Sequence, residues 1–119
     1  QRGEIAWQIA HGQTPDRVAN HPLLQDIDLP RAGQNASVGT LVTKTLLIAG
    51  EAEMTRDGEG NLRAQLRAYN KATGADVGAV RLPAPQSGSP MTYMLKDEQY
   101  IVIAVSGGGM TGELVAFKL

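Results

Sequence analysis

The sequence predicts an all-β chain that is a fragment of a β-propeller, with about one and a half to two four-stranded antiparallel blades. Three observations lead there. Leu62, Ala64, Leu66 and Ala68 alternate with Arg63, Gln65, Arg67 and Tyr69, the period of two that puts alternate side chains on opposite faces of a strand. Fourteen Gly and six Pro cut the 119 residues into short runs, as many short strands joined by turns require. The pattern also recurs: Leu66-Arg-Ala-Tyr-Asn70 matches Leu114-Val-Ala-Phe-Lys118, and the strand pair within Thr40–Ala49 matches the one within Met91–Ala104. Units of roughly 40–50 residues holding four short strands are propeller blades.

In chain order, Gly3–Ala10 reads as a strand with Ile5, Trp7 and Ile9 on one face, and Trp7 as a packing residue. Residues 11–37 carry Pro15, Pro22, Pro30 and little periodicity. Asp16 can cap one helical turn there, which Pro22 would limit. Val38–Thr43 and Thr45–Ala49 are strands, the second covered on both faces because its apolar run does not alternate. Glu51–Asn61 is a polar loop. The strand from Leu62 ends in Asn70-Lys-Ala-Thr-Gly74, a turn by composition, and Ala75–Leu82 is the next strand. After a Pro-rich link, Met91–Leu95 and Gln99–Val105 pair across Lys96-Asp-Glu98, Ser106–Gly112 is a Gly-rich loop, and Glu113–Leu119 closes the chain. The organisation expected is a closing strand of a preceding blade (3–10), a complete blade (38–82) and an incomplete last blade (89–119). Such a piece leaves open strand edges, so its partners are the rest of the propeller or another copy of the chain, and a homo-oligomer is expected. The start at Gln1-Arg2-Gly3 looks like the middle of a turn and suggests a fragment.

Composition removes several functions. A formal net charge of −1 argues against nucleic-acid or polybasic membrane binding. Aromatics at 4% leave no stacking platform, and the absence of Cys removes disulfides and thiolate metal sites. No apolar run approaches the roughly 18 residues that span a bilayer.

Specific segments carry a family resemblance. Gly3-Glu-Ile-Ala-Trp7 and Leu62–Gly74 resemble blade signatures of the pyrroloquinoline quinone (PQQ) dependent dehydrogenases. Arg81-Leu-Pro-Ala-Pro, Ser89-Pro-Met-Thr-Tyr-Met and Gln99-Tyr-Ile-Val-Ile-Ala resemble the C-terminal stretch of their membrane-bound glucose dehydrogenase branch. Two departures stand out: Gly78 occupies the position where the signature has Trp, and Asn70 replaces the usual Asp. The resemblance implies an eight-bladed quinoprotein propeller with PQQ on its axis and a bound Ca²⁺. It implies that a sugar or alcohol hydroxyl is oxidised by hydride transfer to PQQ in the full-length parent, in the periplasm, with any membrane anchor in a missing N-terminal part. The fragment would close the ring and lend loops to the cofactor face, binding neither PQQ nor calcium alone. The alternative is a non-enzymatic PQQ-like-repeat propeller that serves as a protein-binding scaffold.

By propeller topology, residues 11–37, 50–61, 84–90 and 106–112 face the cofactor. Arg31, Gln34 and Asn35 are the candidate cofactor-binding residues, since a guanidinium pairs bidentately with carboxylate; the plainer reading is a solvated loop capping its own turns. His11 and His21, ten residues apart in a loop, have weak metal-ligand spacing. Glu51, Glu53, Asp57 and Glu59 carry oxygens suited to Ca²⁺ but fit no EF-hand spacing and read better as a solvated acidic loop. Gly107-Gly-Gly109 lacks the Lys-Ser/Thr of a phosphate-binding loop. No catalytic residue and no metal ligand is assigned within this chain.

Overall fold

A computed structural model describes residues 2–119. Two antiparallel sheets stack face to face in a slab whose shortest dimension is 21 Å, about two sheet layers at the usual ~10 Å spacing. The first sheet contains β1 (Leu41–Val42), β2 (Leu46–Gly50), β3 (Thr55–Arg56), β4 (Leu62–Asn70) and β5 (Asp76–Leu82). Its spine is β4, which pairs with β5 along one side and with β2, then β3, along the other. The second sheet has the order β6 (Met91–Leu95), β7 (Glu98–Gly107), β8 (Met110–Lys118). A single helical turn, α1 (Asp16–Ala19), and a three-residue 3₁₀ turn at Pro22–Leu24 interrupt the link that precedes β1.

The alternation in β4 does what period two requires. Ala64 and Leu66 point into the space between the sheets, where they join Ile48 and Leu82 from one side and Ile101, Ile103 and Val105 from the other. The opposite face of β4 is covered too, because Arg67 and Tyr69 are buried. Local turn chemistry then sets the register. The Asn70 side chain accepts from the N–H groups of Ala72 and Thr73, and Gly74 takes φ 74°. A Cβ at Gly74 would lie 2.7 Å from the Trp7 ring, so glycine is needed here for packing as well as for backbone conformation. Trp7 is half-buried over this turn and donates its indole N–H to the Lys71 carbonyl at 3.0 Å. Between β6 and β7, Lys96 and Asp97 both adopt positive φ, 51° and 63°, the two-residue connection whose twist matches flanking strands.

Three expectations need correction. Residues 3–10 form no ladder: Ile5 is 82% exposed, and among the described residues no segment pairs with this stretch. A strand needs a neighbour as well as an alternating pattern, and here Trp7 instead anchors the segment by its side chain. The polar stretch 51–61 is not all loop, because β3 pairs with the start of β4 around a turn in which Asp57 Oδ1 accepts from the N–H groups of Glu59 and Asn61. The Gly-rich loop at 106–112 contracts to Gly107–Gly109, all at positive φ, so that β7 and β8 form one long hairpin.

Ile103 is fully buried at the centre of the inter-sheet core. Replacing Ile103 by Ala is expected to cost about 2–5 kcal/mol, read as a lower denaturation midpoint at unchanged m-value in urea titrations.

Candidate functional site

The four segments expected on one face do converge at one end of the sheets, and their anchor is Glu51. Its N–H donates to the Gln65 carbonyl at 2.8 Å, and its carbonyl accepts from the Gln86 N–H at 2.8 Å. Its carboxylate oxygen Oε1 accepts from the Gln13 N–H and from Arg67 Nε, both at 2.9 Å. One fully buried residue thus ties together the long link before β1, the β2 exit, β4 and the link between the sheets.

Gln86 continues the clamp. Its side-chain oxygen accepts from the Gly50 N–H, and its amide donates to the Gly39 carbonyl at 2.8 Å. A Cβ at Gly50 would sit 2.6 Å from that oxygen, so only glycine lets the amide approach. Gln86 also bridges to Val105, and the Ser106 N–H donates to the Pro85 carbonyl. A polar cavity of about 250 Å³ opens beside this clamp, lined by Ser37, Val38, Gly39, Gln86, Ser87, Gly88 and Ser89. It lies just before β1 and β6, the first strand of each sheet.

Of the predicted cofactor-binding residues, Arg31 and Gln34 are turned into the scaffold. Arg31 Nη1 donates to Asp76 Oδ2 at 2.7 Å. Gln34 accepts from the N–H groups of Ala52 and Glu53 and donates to the Glu53 carbonyl, which folds the 11–37 link onto the β2 exit. Asn35 is exposed, two residues before the cavity wall at Ser37. His11 does not meet His21. Its Nε2 faces the Gly50 carbonyl at 3.0 Å and its Nδ1 faces the Tyr69 hydroxyl at 2.8 Å. A carbonyl only accepts, so Nε2 carries a proton. Burial raises the Tyr69 pKa above its ordinary value, which keeps its hydroxyl protonated.

The acidic residues of 51–59 disperse onto separate partners. Glu51 pairs with Arg67, Glu53 with Arg17, and Asp57 with Arg63 and Arg81. Among the described residues no three His, Asp or Glu side chains converge as a metal group. Sequence reasoning missed Arg67, Asp76 and Gln86. The visible signals were an arginine on a strand face opposite Leu66, and a lone amide inside the Pro83-Ala-Pro-Gln-Ser-Gly88 run.

The electrostatics are balanced within the scaffold. Arg67 reaches from Glu51 to Asp76, its Nη1 lying 3.2 Å from Asp76 Oδ2. Glu51 Oε2 and Arg67 Nη2 are buried with no protein hydrogen-bond partner among the described residues, which adds to the desolvation cost of the pair. At Asp57 the Arg63 hydrogen bond, helped by the Asn61 N–H, holds the carboxyl at about 2. At Asp76 burial pushes upward, but the hydrogen bond and charge of Arg31 and the charge of Arg67 outweigh it and keep the pKa below the ordinary 3.8.

The family model for the glucose/ethanol/alcohol dehydrogenase β-propeller domain that depends on PQQ matches residues 1–101. The chain belongs to this family. Among curated relatives, quinoprotein glucose dehydrogenase A of Acinetobacter calcoaceticus is 30% identical over 121 residues, covering 98% of this chain and 14% of that protein. The quinoprotein glucose dehydrogenase of Escherichia coli K12 is 45% identical over 47 residues, 40% of this chain and 6% of that protein. A probable quinate dehydrogenase (quinone) of Xanthomonas campestris pv. juglandis is 31% identical over 107 residues, 87% of this chain and 12% of that protein. The chain therefore spans only a small part of the length of these relatives. No solved structure matches it.

Two outcomes follow from these charges. Arg67→Met leaves the Glu51 carboxylate buried without its cation and is expected to cost about 3–5 kcal/mol, while the double variant Glu51→Leu, Arg67→Met recovers most of the loss; a double-mutant cycle in denaturant checks this. Asp57 and Asp76 titrate below their ordinary 3.8 in the folded chain. Their stabilisation is complete above that pH and is lost as the pH falls toward about 2, so Asp57→Asn should flatten the acid-unfolding curve in that window.

Proposed function

We propose that this chain supplies consecutive blades, and part of the cofactor-facing rim, of a PQQ-dependent dehydrogenase that oxidises a sugar or alcohol hydroxyl. The observation that carries this reading is the convergence of 11–37, 50–61, 84–90 and 106–112 at one end of both sheets, held there by Glu51 and Gln86. Family membership supports the cofactor. PQQ, held in part by the hydroxyls of Ser37, Ser87 and Ser89, would supply the two-electron acceptor for oxidation of the substrate hydroxyl.

The residues present fit a hydrogen-bonding rim. The hydroxyls of Ser37, Ser87 and Ser89 surround the polar cavity beside the half-buried Gly39 and Gly88, a donor set suited to quinone or carboxylate oxygens. Asn35 extends it on the solvent side. Arg31 and Gln34 act as positioning groups, because Asp76 and the Glu53 backbone already occupy them. The general base and any Ca²⁺ ligands come from other blades. The open edges of β1, β5, β6 and β8, which pair here on one side only, are where those blades or another copy would adjoin. A periplasmic location follows from the same reading; among the described residues no helix is long and apolar enough to cross a membrane.

The test is PQQ titration of the full-length parent protein that contains this chain, with and without Ca²⁺, followed by dye reduction with glucose, ethanol and quinate. Saturable PQQ binding and dye reduction by at least one substrate are expected. Gln86→Leu, which removes two buried hydrogen bonds, is expected to weaken PQQ binding roughly tenfold. Absence of PQQ binding would sink the reading in favour of a protein-binding propeller.

A further inference from the structure

We infer that residues 12–33 form a hinged flap whose neck is latched by His11, closed while the imidazole is neutral and released when it gains a proton. Both ends of this excursion meet at one residue, since the Gln34 N–H donates to the His11 carbonyl at 2.8 Å. A glycine hinge stands at each end. Gly12 and Gly33 take φ 83° and 75°, and a Cβ at Gly33 would lie 2.8 Å from the His11 carbonyl oxygen. Compact loops with joined ends are a recurrent functional form, and hinge residues absorb the backbone change when such a loop opens.

The latch is the His11 ring. Its Nε2 donates to the Gly50 carbonyl at the end of β2, and its Nδ1 lies 2.8 Å from the Tyr69 hydroxyl on β4. In the neutral ring Nδ1 is bare and accepts from that hydroxyl. Tyr69 is 1% exposed, and its hydroxyl meets no other acceptor among the described residues. The Gly12 N–H, a donor, bonds to the same oxygen. A proton on Nδ1 turns the acceptor into a donor. The Tyr69 oxygen can receive it, but the hydroxyl hydrogen is then buried without an acceptor, which costs more than the bond it loses.

The surrounding charges oppose the proton as well. Arg31 from the link and Arg67 from β4 are the nearby cations, and Asp76 from β5 and Glu51 from the β2 exit are the anions. All four are already matched, Glu51 with Arg67 and Asp76 with both arginines. An imidazolium here adds a part-buried charge with no counter-ion. Beyond the neck the flap is tied to the sheet by solvent-exposed pairs, Arg17–Glu53, Arg31–Asp76 and Arg56–Asp16, which contribute little each. The closed flap thus excludes the proton, and by linkage the proton opens the flap. It is held at about pH 8 and loosens toward about pH 5, the range in which imidazoles change charge. This inference does not rest on the cofactor reading, and its test uses no cofactor.

The experiment is hydrogen–deuterium exchange on the full-length parent protein that contains this chain, at about pH 8 and about pH 5, with labelling times scaled for the intrinsic pH dependence of exchange. Amides of 12–33 are expected to lose at least about fivefold in protection at the lower pH, while those of β4 keep theirs. His11→Gln retains a donor and an acceptor but cannot gain a proton, so its flap is expected to stay protected at both pH values. His21→Gln removes the histidine within the flap, whose side chain bonds only to the Leu23 N–H among the described residues, and should leave the wild-type change intact. Equal wild-type protection of 12–33 at the two pH values, or an equal loss in β4, overturns the proposal without any variant. So does a change that persists in His11→Gln or vanishes in His21→Gln. Should His11→Gln lose β4 protection too, the wild-type and His21→Gln profiles decide.

Discussion

The buried ion pair between Glu51 and Arg67 is the constraint on which the arrangement rests. A carboxylate with no solvent access demands compensation, and the chain meets that demand with the Gln13 N–H and Arg67 Nε, while the Glu51 backbone bonds to the Gln65 carbonyl and the Gln86 N–H. These partners come from three segments far apart in sequence. An apolar residue at position 51 could be buried in many orientations, whereas a charge with directional partners accepts one. The pair contributes less through net energy than through the single geometry it permits at that end of the sheets.

A division of labour between the two sheets follows. The first carries a full set of strands with both faces of its spine covered, and holds the polar network. The second is three strands whose Ile101, Ile103 and Val105 seal the shared core, while its other face stays open, with Tyr93 and Tyr100 stacked 5.2 Å apart between centroids.

Much of the fold was legible because strands and turns are written locally. The alternation from Leu62, the β-branched run Tyr100–Val105 and the Asn70–Gly74 turn each contain their own signal. Residues 3–10 show the limit of such reading, since a pattern of two does not supply the neighbour a ladder needs. At the site, the converging loops were legible from propeller topology, but the partners were not. Arg31 looked available because Asp76, its counter-ion, lies 45 residues away. Glu51 looked like one of four solvated acids because its burial is decided by Arg67 on another strand. Long-range electrostatic pairing leaves no periodic trace in a sequence.

The placement of the sole tryptophan has a spectroscopic consequence. Trp7 sits on a segment attached by its indole hydrogen bond, by contact of Trp7 and Ile9 with Gly74 and, at its end, by the Arg31 hydrogen bond to the Ala10 carbonyl, not by a strand ladder. Segments held this weakly open locally at free energies well below that of global unfolding. Tryptophan emission will therefore track detachment of the N-terminal segment, and its transition will precede the loss of far-ultraviolet β-sheet signal. An observer relying on fluorescence alone would mistake the fraying of one edge for the unfolding of both sheets.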